Sequence, residues 1–256
     1  MKTLIIQSQR DPLLFPWLND CVLSVQHWAD QHSFDYRWYG DEIFQLVDPR
    51  LLNKAQVKTV IASDLARLAA LRIGLNDYER VVWLDADFLI LQPDSFRLPD
   101  QENLPEGYML GREHWIQRTE DQPSRLKCYT KVHNAFLLFH RENSFLSFYD
   151  THAKRLLKQV EGPIPAQFIG PKLLTALHNI IHCPVFESAG MLCPLVADEL
   201  LGQNRDRPAL ALLKKKSLKN LAGVNLCSSL CTNSATSNTR MFRLIQLLLS
   251  TENPLL

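Results

Sequence analysis

The sequence predicts an α/β protein: a mostly parallel sheet flanked by helices on both faces. Short apolar strands alternate with longer segments of helical apolar spacing, the pattern left by strands joined through crossover helices. The most apolar strand begins at Arg80 and is interrupted only by two carboxylates, so burial on both of its faces is expected. With 256 residues, of which 46% are hydrophobic, the chain can bury one large core without disulfides or metals. It is also too rich in aliphatic and aromatic side chains for disorder.

Residues 3–7 read as a short buried strand, followed by a polar turn with Pro12 and Pro16. Trp17, Leu18, Cys21, Val22, Val25, Trp28 and Ala29 recur at helical spacing. Phe34, Tyr36 and Trp38 alternate with Asp35, Arg37 and Tyr39, a strand period that Gly40 ends. A second long helix is expected over 54–72, with Val57, Ile61, Leu65, Leu68 and Ala69 on one face and Gly74 as its C-terminal stop. RVVWLDADFLILQPD then reads as one continuous strand. Beyond Pro93 the chain is irregular as far as Lys131, apart from a strand at 108–110. HNAFLLFH at 133–140 is a strand, 142–160 is helical, and Pro171 opens another helix, proline being favoured at the first helical position. The Ser/Thr/Asn-rich stretch 227–239 reads as a loop or flexible linker to a short basic helix at 240–250, which would lie on a membrane or dock on the body.

The formal net charge of +1 conceals an asymmetry. Residues 1–204 carry 20 Lys+Arg against 25 Asp+Glu, whereas residues 205–256 carry 8 against 2. The excess lies at Arg205, Arg207, Lys214, Lys215, Lys216, Lys219, Arg240 and Arg243. A basic segment on an acidic body points to an anionic partner for that segment: a diphosphate, a lipid headgroup or nucleic acid. Overall near-neutrality argues against bulk nucleic-acid binding. The six cysteines form no CxxC pair, and the opening residues are not expected to be a secretory leader. A reducing, cytoplasmic setting with free thiols is expected, with peripheral membrane contact through the basic segment. Cys227 and Cys231 lack the second Cys/His pair of a zinc site.

Asp85 and Asp87 stand at i and i+2 of an extended segment, so both side chains are expected on one side of the backbone. Burying two carboxylates among such apolar neighbours requires a compensating cation. Hard carboxylate oxygens suit Mn²⁺ or Mg²⁺, which keep sites for water and phosphate oxygens. With 16 Asp in the chain, chance supplies about one D-x-D pair. What singles this pair out is its place near the end of an apolar strand, where open α/β sheets bind ligands. A phosphatase of the haloacid dehalogenase type also puts Asp-x-Asp after such a strand. Leu89 stands where that family has Thr or Val, and no Asp-Asp motif follows.

SDLARLAALRIGLNDYERVVWLDADFLIL resembles the donor-site block of GT-A glycosyltransferases of family 32, and YERVVWLDAD is also similar to family 8. FDYRWYGDE, HNAFLLFH and FIGPKLLTALH resemble further segments of family 32 in the same order. The resemblance implies a Rossmann-like GT-A domain over 1–226, with 227–256 as linker and basic helix. It implies a retaining enzyme that moves a hexose from a UDP- or GDP-sugar to a hydroxyl of a glycan or lipid-linked acceptor. A non-catalytic relative that binds a nucleotide sugar or glycan is the alternative.

By resemblance, Asp85 and Asp87 hold Mn²⁺ or Mg²⁺ against the donor diphosphate, while Asp64 and Arg67 face the donor sugar. These four are the candidate catalytic residues. Gln7 and Ser8 end the first strand, Ala86 lies between the aspartates, and Asn134 sits on the HNA strand; all four are candidate donor contacts. Lys219, with Lys214–Lys216 just upstream, would share the diphosphate charge. His133 reads as a strand-edge histidine, and Gly170 with Pro171 as a helix start facing a ligand. Two positions depart from family 32. Its Gly-Gly pair before the D-x-D strand is missing, and GVNLCSS places Asn225 where a metal-binding His is usual, making Asn225 the third candidate ligand.

Overall fold

In the computed structural model, residues 1–55, 59–202, 206–251, 253 and 255 are described. Val57 of the expected second helix and Arg205 of the basic segment lie outside them. The chain begins β1 (Thr3–Ser8), α1 (Leu18–Gln31), β2 (Asp35–Tyr39), α2 (Pro49–Ala55), α3 (Thr59–Asp77), β3 (Arg80–Leu84) and β4 (Phe88–Ile90). It continues β5 (Tyr108–Arg118), β6 (Leu126–His140), α4 (Phe145–Gln159), α5 (Pro171–Ile181), β7 (Val185–Phe186) and β8 (Ala189–Met191). Then come α6 (Pro194–Leu201), α7 (Pro208–Lys216), β9 (Gly223–Asn225) and α8 (Ala235–Leu249).

The main sheet has the order β2-β1-β3-β6-β5-β7. Pairings β1/β2, β1/β3 and β5/β7 are parallel, while β6 runs antiparallel to both β3 and β5. The expected α/β architecture is present, with a mainly parallel but mixed sheet. Strand alternation explains why both faces are covered. Leu4, Ile6, Val81, Trp83, Leu137 and Phe139 join the apolar cluster with α3 and α4, and Ile5, Val82, Leu84, Phe136 and Leu138 face α1 on the other side. On that second face, Trp28 buries its indole against Phe96 and donates Nε1–H to the Phe96 carbonyl at 3.0 Å, which satisfies the polar atom that an indole carries into a core.

Three expectations are corrected. Gly74 does not stop its helix: α3 passes through it to Asp77. A Cβ there would lie 3.0 Å from Val81 and 3.2 Å from Leu4, so this glycine serves the close approach of helix and sheet rather than termination. The strand from Arg80 is not continuous. β3 stops at Leu84, the chain turns through Asp85–Asp87 with Phe88 N–H bonded to the Asp85 carbonyl at 2.9 Å, and β4 joins a second sheet of order β4-β9-β8. Nor is the stretch before Lys131 irregular. β5 and β6 form a long antiparallel ribbon that carries on past Asp85, whose N–H bonds the Ala135 carbonyl at 3.0 Å. Its apolar pattern is broken by Arg112, which pairs with Glu187 from beyond the ribbon, and by His114, which meets Thr130 across it.

The last helix begins earlier than expected, at Ala235 inside the Ser/Thr/Asn-rich stretch. Ser234 caps α8 by accepting from Ser237 N–H, as Ser does at a helix start. Met241, Leu244, Ile245 and Leu248 are buried at helical spacing in a cluster with α6 and α7. Arg240 pairs with Asp198 of α6. Of the two fates expected for this helix, the structure has it docked on the body. No helix among the described residues is long and apolar enough to cross a membrane.

Candidate functional site

The parallel strands β1 and β3 end side by side, and the candidate residues gather at that edge. Gln7, fully buried near the end of β1, donates Nε2–H to the Asp85 carbonyl at 3.0 Å and accepts from the Tyr36 hydroxyl at 3.0 Å. It thereby fixes the backbone of the turn that follows β3. Ser8 is half-buried beside it, and Ala86 is buried within the turn.

α3 brings Asp64 and Arg67 to the same place, one turn apart on one helix face. Arg67 donates from Nη2 to Asp85 Oδ1 at 2.7 Å and from Nη1 to Asp64 Oδ1 at 3.3 Å. Both α3 residues are under 10% exposed, so this is an interior network, not a surface ion pair. Trp83 Nε1–H also donates to Asp85 Oδ1 at 2.7 Å, and the Arg67 guanidinium sits 4.9 Å from the centre of the Trp83 ring, a cation–π contact. Trp83 was not singled out in the sequence. Its signal was available, because it stands two residues before Asp85 in a strand and an indole N–H in an apolar strand needs an acceptor.

Asn134 Nδ2 donates to Asp64 Oδ1 at 2.7 Å. Asp64 Oδ2 has no partner among the described residues, and a Cβ on Gly170 would lie 2.4 Å from it. Gly170 is thus the residue that lets the start of α5 close over the carboxylate. Tyr149 of α4 holds that segment by donating its hydroxyl to the Ile169 carbonyl at 2.7 Å. Burial pushes the Asp64 carboxyl up to about 6, against the pull of Arg67 and Asn134. Asp85 is likewise raised, first by desolvation and then by Asp87, with Arg67 opposing.

Asp87 is separately held. Asn225 Nδ2 donates to its Oδ1 at 2.5 Å and the Ser228 N–H to its Oδ2 at 2.7 Å. The expectation of two carboxylates leaving an extended strand together is therefore corrected: the turn sends Asp85 to α3 and Asp87 to β9. Asn225 Oδ1 accepts from Cys227 N–H at 2.9 Å, so toward Asp87 this residue presents N–H rather than a ligand oxygen. The part played by Ser228 comes from its backbone, which residue type does not reveal.

His133 accepts from Ala135 N–H at 3.1 Å through Nδ1 and reaches the Ala189 carbonyl at 3.2 Å through Nε2. Both nitrogens are committed, and burial pushes its pKa down to about 4, so it is a neutral structural residue carrying Nε2–H. Lys219 is exposed in the segment between α7 and β9, and no hydrogen bond or ion pair among the described residues joins it to the aspartates. Lys214, Lys215 and Lys216 are exposed at the end of α7, and the charge of Lys216 is felt at His114 and Cys128.

Asp64 and Asp85 share the Arg67 guanidinium, and among the described residues Asp87 has neutral donors instead of a cation. Among the described residues no set of three or more His, Cys, Asp or Glu side chains is grouped as metal ligands. The chemistry nevertheless fits a hard divalent cation. The site carries excess negative charge, and Asp85, its side chain 26% exposed, keeps an Oδ2 that accepts no hydrogen bond from the described residues. Mg²⁺ and Mn²⁺ draw much of their coordination from water and phosphate, so few protein ligands are needed.

No protein-family model matches the chain, and no curated protein does. Solved structures of other proteins resemble it distantly. A glycosyltransferase involved in the glycosylation of the major capsid of PBCV-1 is 11% identical, with a TM-score of 0.49 over 94% of this chain and 98% of that one. Mouse xyloside xylosyltransferase 1 in its apo form is 9% identical, with a TM-score of 0.44 over 89% and 98%. A197 from STIV is 13% identical, with a TM-score of 0.31 over 70% and 78%. Likenesses this distant leave the chemistry of the chain to be read from its own residues.

Proposed function

We propose that the chain is a GT-A-type glycosyltransferase that moves a hexose from a UDP- or GDP-sugar to a hydroxyl of a glycan or lipid-linked acceptor. The observation that supports this reading is the convergence of Asp64, Arg67 and Asp85 at the shared end of β1 and β3, with Asp87 in the same turn. Asp85 and Asp87 would hold Mn²⁺ or Mg²⁺. When bound, the cation would neutralise charge on the departing nucleoside diphosphate. Gln7 fixes the turn, and Arg67 orients Asp64 and Asp85 in a dry setting where a fixed charge acts strongly. Asp64, buried beneath Gly170, would hold Arg67 and Asn134 in place beside the donor sugar. Retention of configuration rests on the resemblance to families 32 and 8.

One observation favours the alternative of a non-catalytic nucleotide-sugar or glycan binder: Asp87 has both oxygens occupied by protein donors. Calorimetric titration with UDP and GDP, with Mn²⁺ and with EDTA, tests metal use. Metal-dependent nucleotide binding is the expected result, and its absence with both nucleotides overturns the metal assignment. Release of free sugar from UDP- or GDP-hexoses then separates enzyme from binder.

A further inference from the structure

A cleft between α3 and α4 lies at the other end of the sheet from the Asp85 turn. Arg72 follows Asp64 along α3 by about 12 Å, at 1.5 Å per residue. Arg141 follows β6, whose last residue, His140, pairs with Arg80 at the start of β3. The cleft is open to solvent and has a volume of about 620 Å³, within the range of small-molecule sites. Among the described residues lining it are three cations, Arg72, Arg141 and Lys154, and no carboxylate.

Those cations are held in place by the protein. Asp150, 1% exposed, accepts on Oδ2 from Arg72 Nη1 at 2.5 Å and from Lys154 Nζ at 2.7 Å. Arg141 Nε donates to the carbonyls of Leu75 at 3.0 Å and Tyr78 at 3.2 Å, at the end of α3. A guanidinium has five N–H donors, so both arginines keep most of theirs free. One buried carboxylate cannot neutralise three cations. Positive charge remains, already fixed in position, beside an apolar floor.

We propose that this cleft binds a phosphate-bearing ligand, with Arg72, Arg141 and Lys154 on the phosphate and Leu46, Ile73 and Leu146 beneath its apolar portion. Arginine's planar fork matches phosphate oxygens in pairs. Cations ordered in advance by Asp150 and the α3 carbonyls spare the ligand the cost of ordering them. The proposal does not depend on the reading of the Asp85 site.

Calorimetric titration of the full chain with inorganic phosphate at low salt tests it. Co-sedimentation with phosphatidylcholine vesicles containing phosphatidylglycerol distinguishes a lipid headgroup from a free phosphate. Ser147 lines the cleft in the first turn of α4, where a carboxylate is well tolerated. Ser147→Asp therefore adds a repelling charge while keeping the fold, and Arg72→Gln with Lys154→Gln removes the donors. Phosphate binding by the parent chain, weakened about tenfold or more by either variant, is the expected result. Vesicle binding lost in the same variants assigns the phosphate to a lipid. Failure of the parent chain to bind either probe, or binding unchanged by the variants, overturns the proposal, whatever the outcome of nucleotide titrations.

Discussion

Asn225 turns its amide nitrogen, not its carbonyl oxygen, toward Asp87, with Nδ2 2.5 Å from Oδ1. The amide cannot be rotated end for end. Its oxygen would then meet the Asp87 oxygen, and its NH₂ would meet the Cys227 N–H that now donates to it at 2.9 Å. Asn225 is a neutral clamp on a buried carboxylate, and Ser228 N–H completes the clamp from the other oxygen.

Asn225→Asp preserves shape while replacing that donor by a second carboxylate. Without metal, two like charges then meet in a buried site, and a cost of about 2–4 kcal/mol is expected. Thermal unfolding in EDTA should show a lowered Tm, and millimolar Mn²⁺ should restore much of it by binding the new pair. A Tm in EDTA equal to that of the parent would mean that the clamp contributes nothing.

Among the described residues Arg67 is the one guanidinium between Asp64 and Asp85, at 3.3 and 2.7 Å. Arg67→Met fills similar volume and leaves both carboxylates unpaired, which is expected to cost about 3–5 kcal/mol at neutral pH. The loss should shrink at pH 5, because a protonated carboxyl needs no cation. Urea denaturation of parent and variant at pH 5 and pH 8 measures the difference; equal losses at both would contradict the charge account.

The pKa of Asp64, about 6 in the folded chain against an ordinary 3.8, sets a direction for pH. The native state holds this proton more tightly than the unfolded chain, so the contribution of Asp64 to stability is greatest below about pH 4 and declines as pH rises toward 6. The span corresponds to something on the order of 3 kcal/mol. Asp64→Asn mimics the protonated form and should match the parent at pH 4 while exceeding it at pH 7. Urea midpoints across that range would reveal a parallel pair of curves if Asp64 titrated normally.

The alternation of strands and helices was legible because it rests on apolar periodicity, and Leu4–Ile6 and Val81–Leu84 show it directly. The turn at Asp85 was not, because LDADFLIL is apolar on both sides and the break depends on partners far away in sequence, Arg67 and Asn225. Gly74 misled for a related reason: a glycine required by contact with Val81 looks the same in sequence as one required by a helix end. Asp64, Arg67 and Asn134 were identified through family-like segments, yet their mutual bonds required the fold. Asp150 beneath Arg72 and Lys154 left no sequence signal, since an acid among bases on a helix reads as a solvated face.

Gly170 gives the last expectation. A Cβ there would stand 2.4 Å from Asp64 Oδ2 and 2.8 Å from Asn134 Nδ2, closer than any such contact can be sustained, so Gly170→Ala must push the start of α5 outward or displace the Asp64–Asn134 pair. The strain should cost about 1–3 kcal/mol. Its larger effect falls on the site, because the displaced carboxylate is the one that Arg67 ties to Asp85. Tyr149→Phe provides the matching control. It removes the hydroxyl that anchors the Ile169 carbonyl at 2.7 Å and loosens the same segment without a clash. If Gly170 matters through crowding, Gly170→Ala lowers nucleotide affinity more than Tyr149→Phe at similar loss of Tm, by calorimetry with UDP or GDP and Mn²⁺. Equal effects would assign the role to tethering of the segment instead.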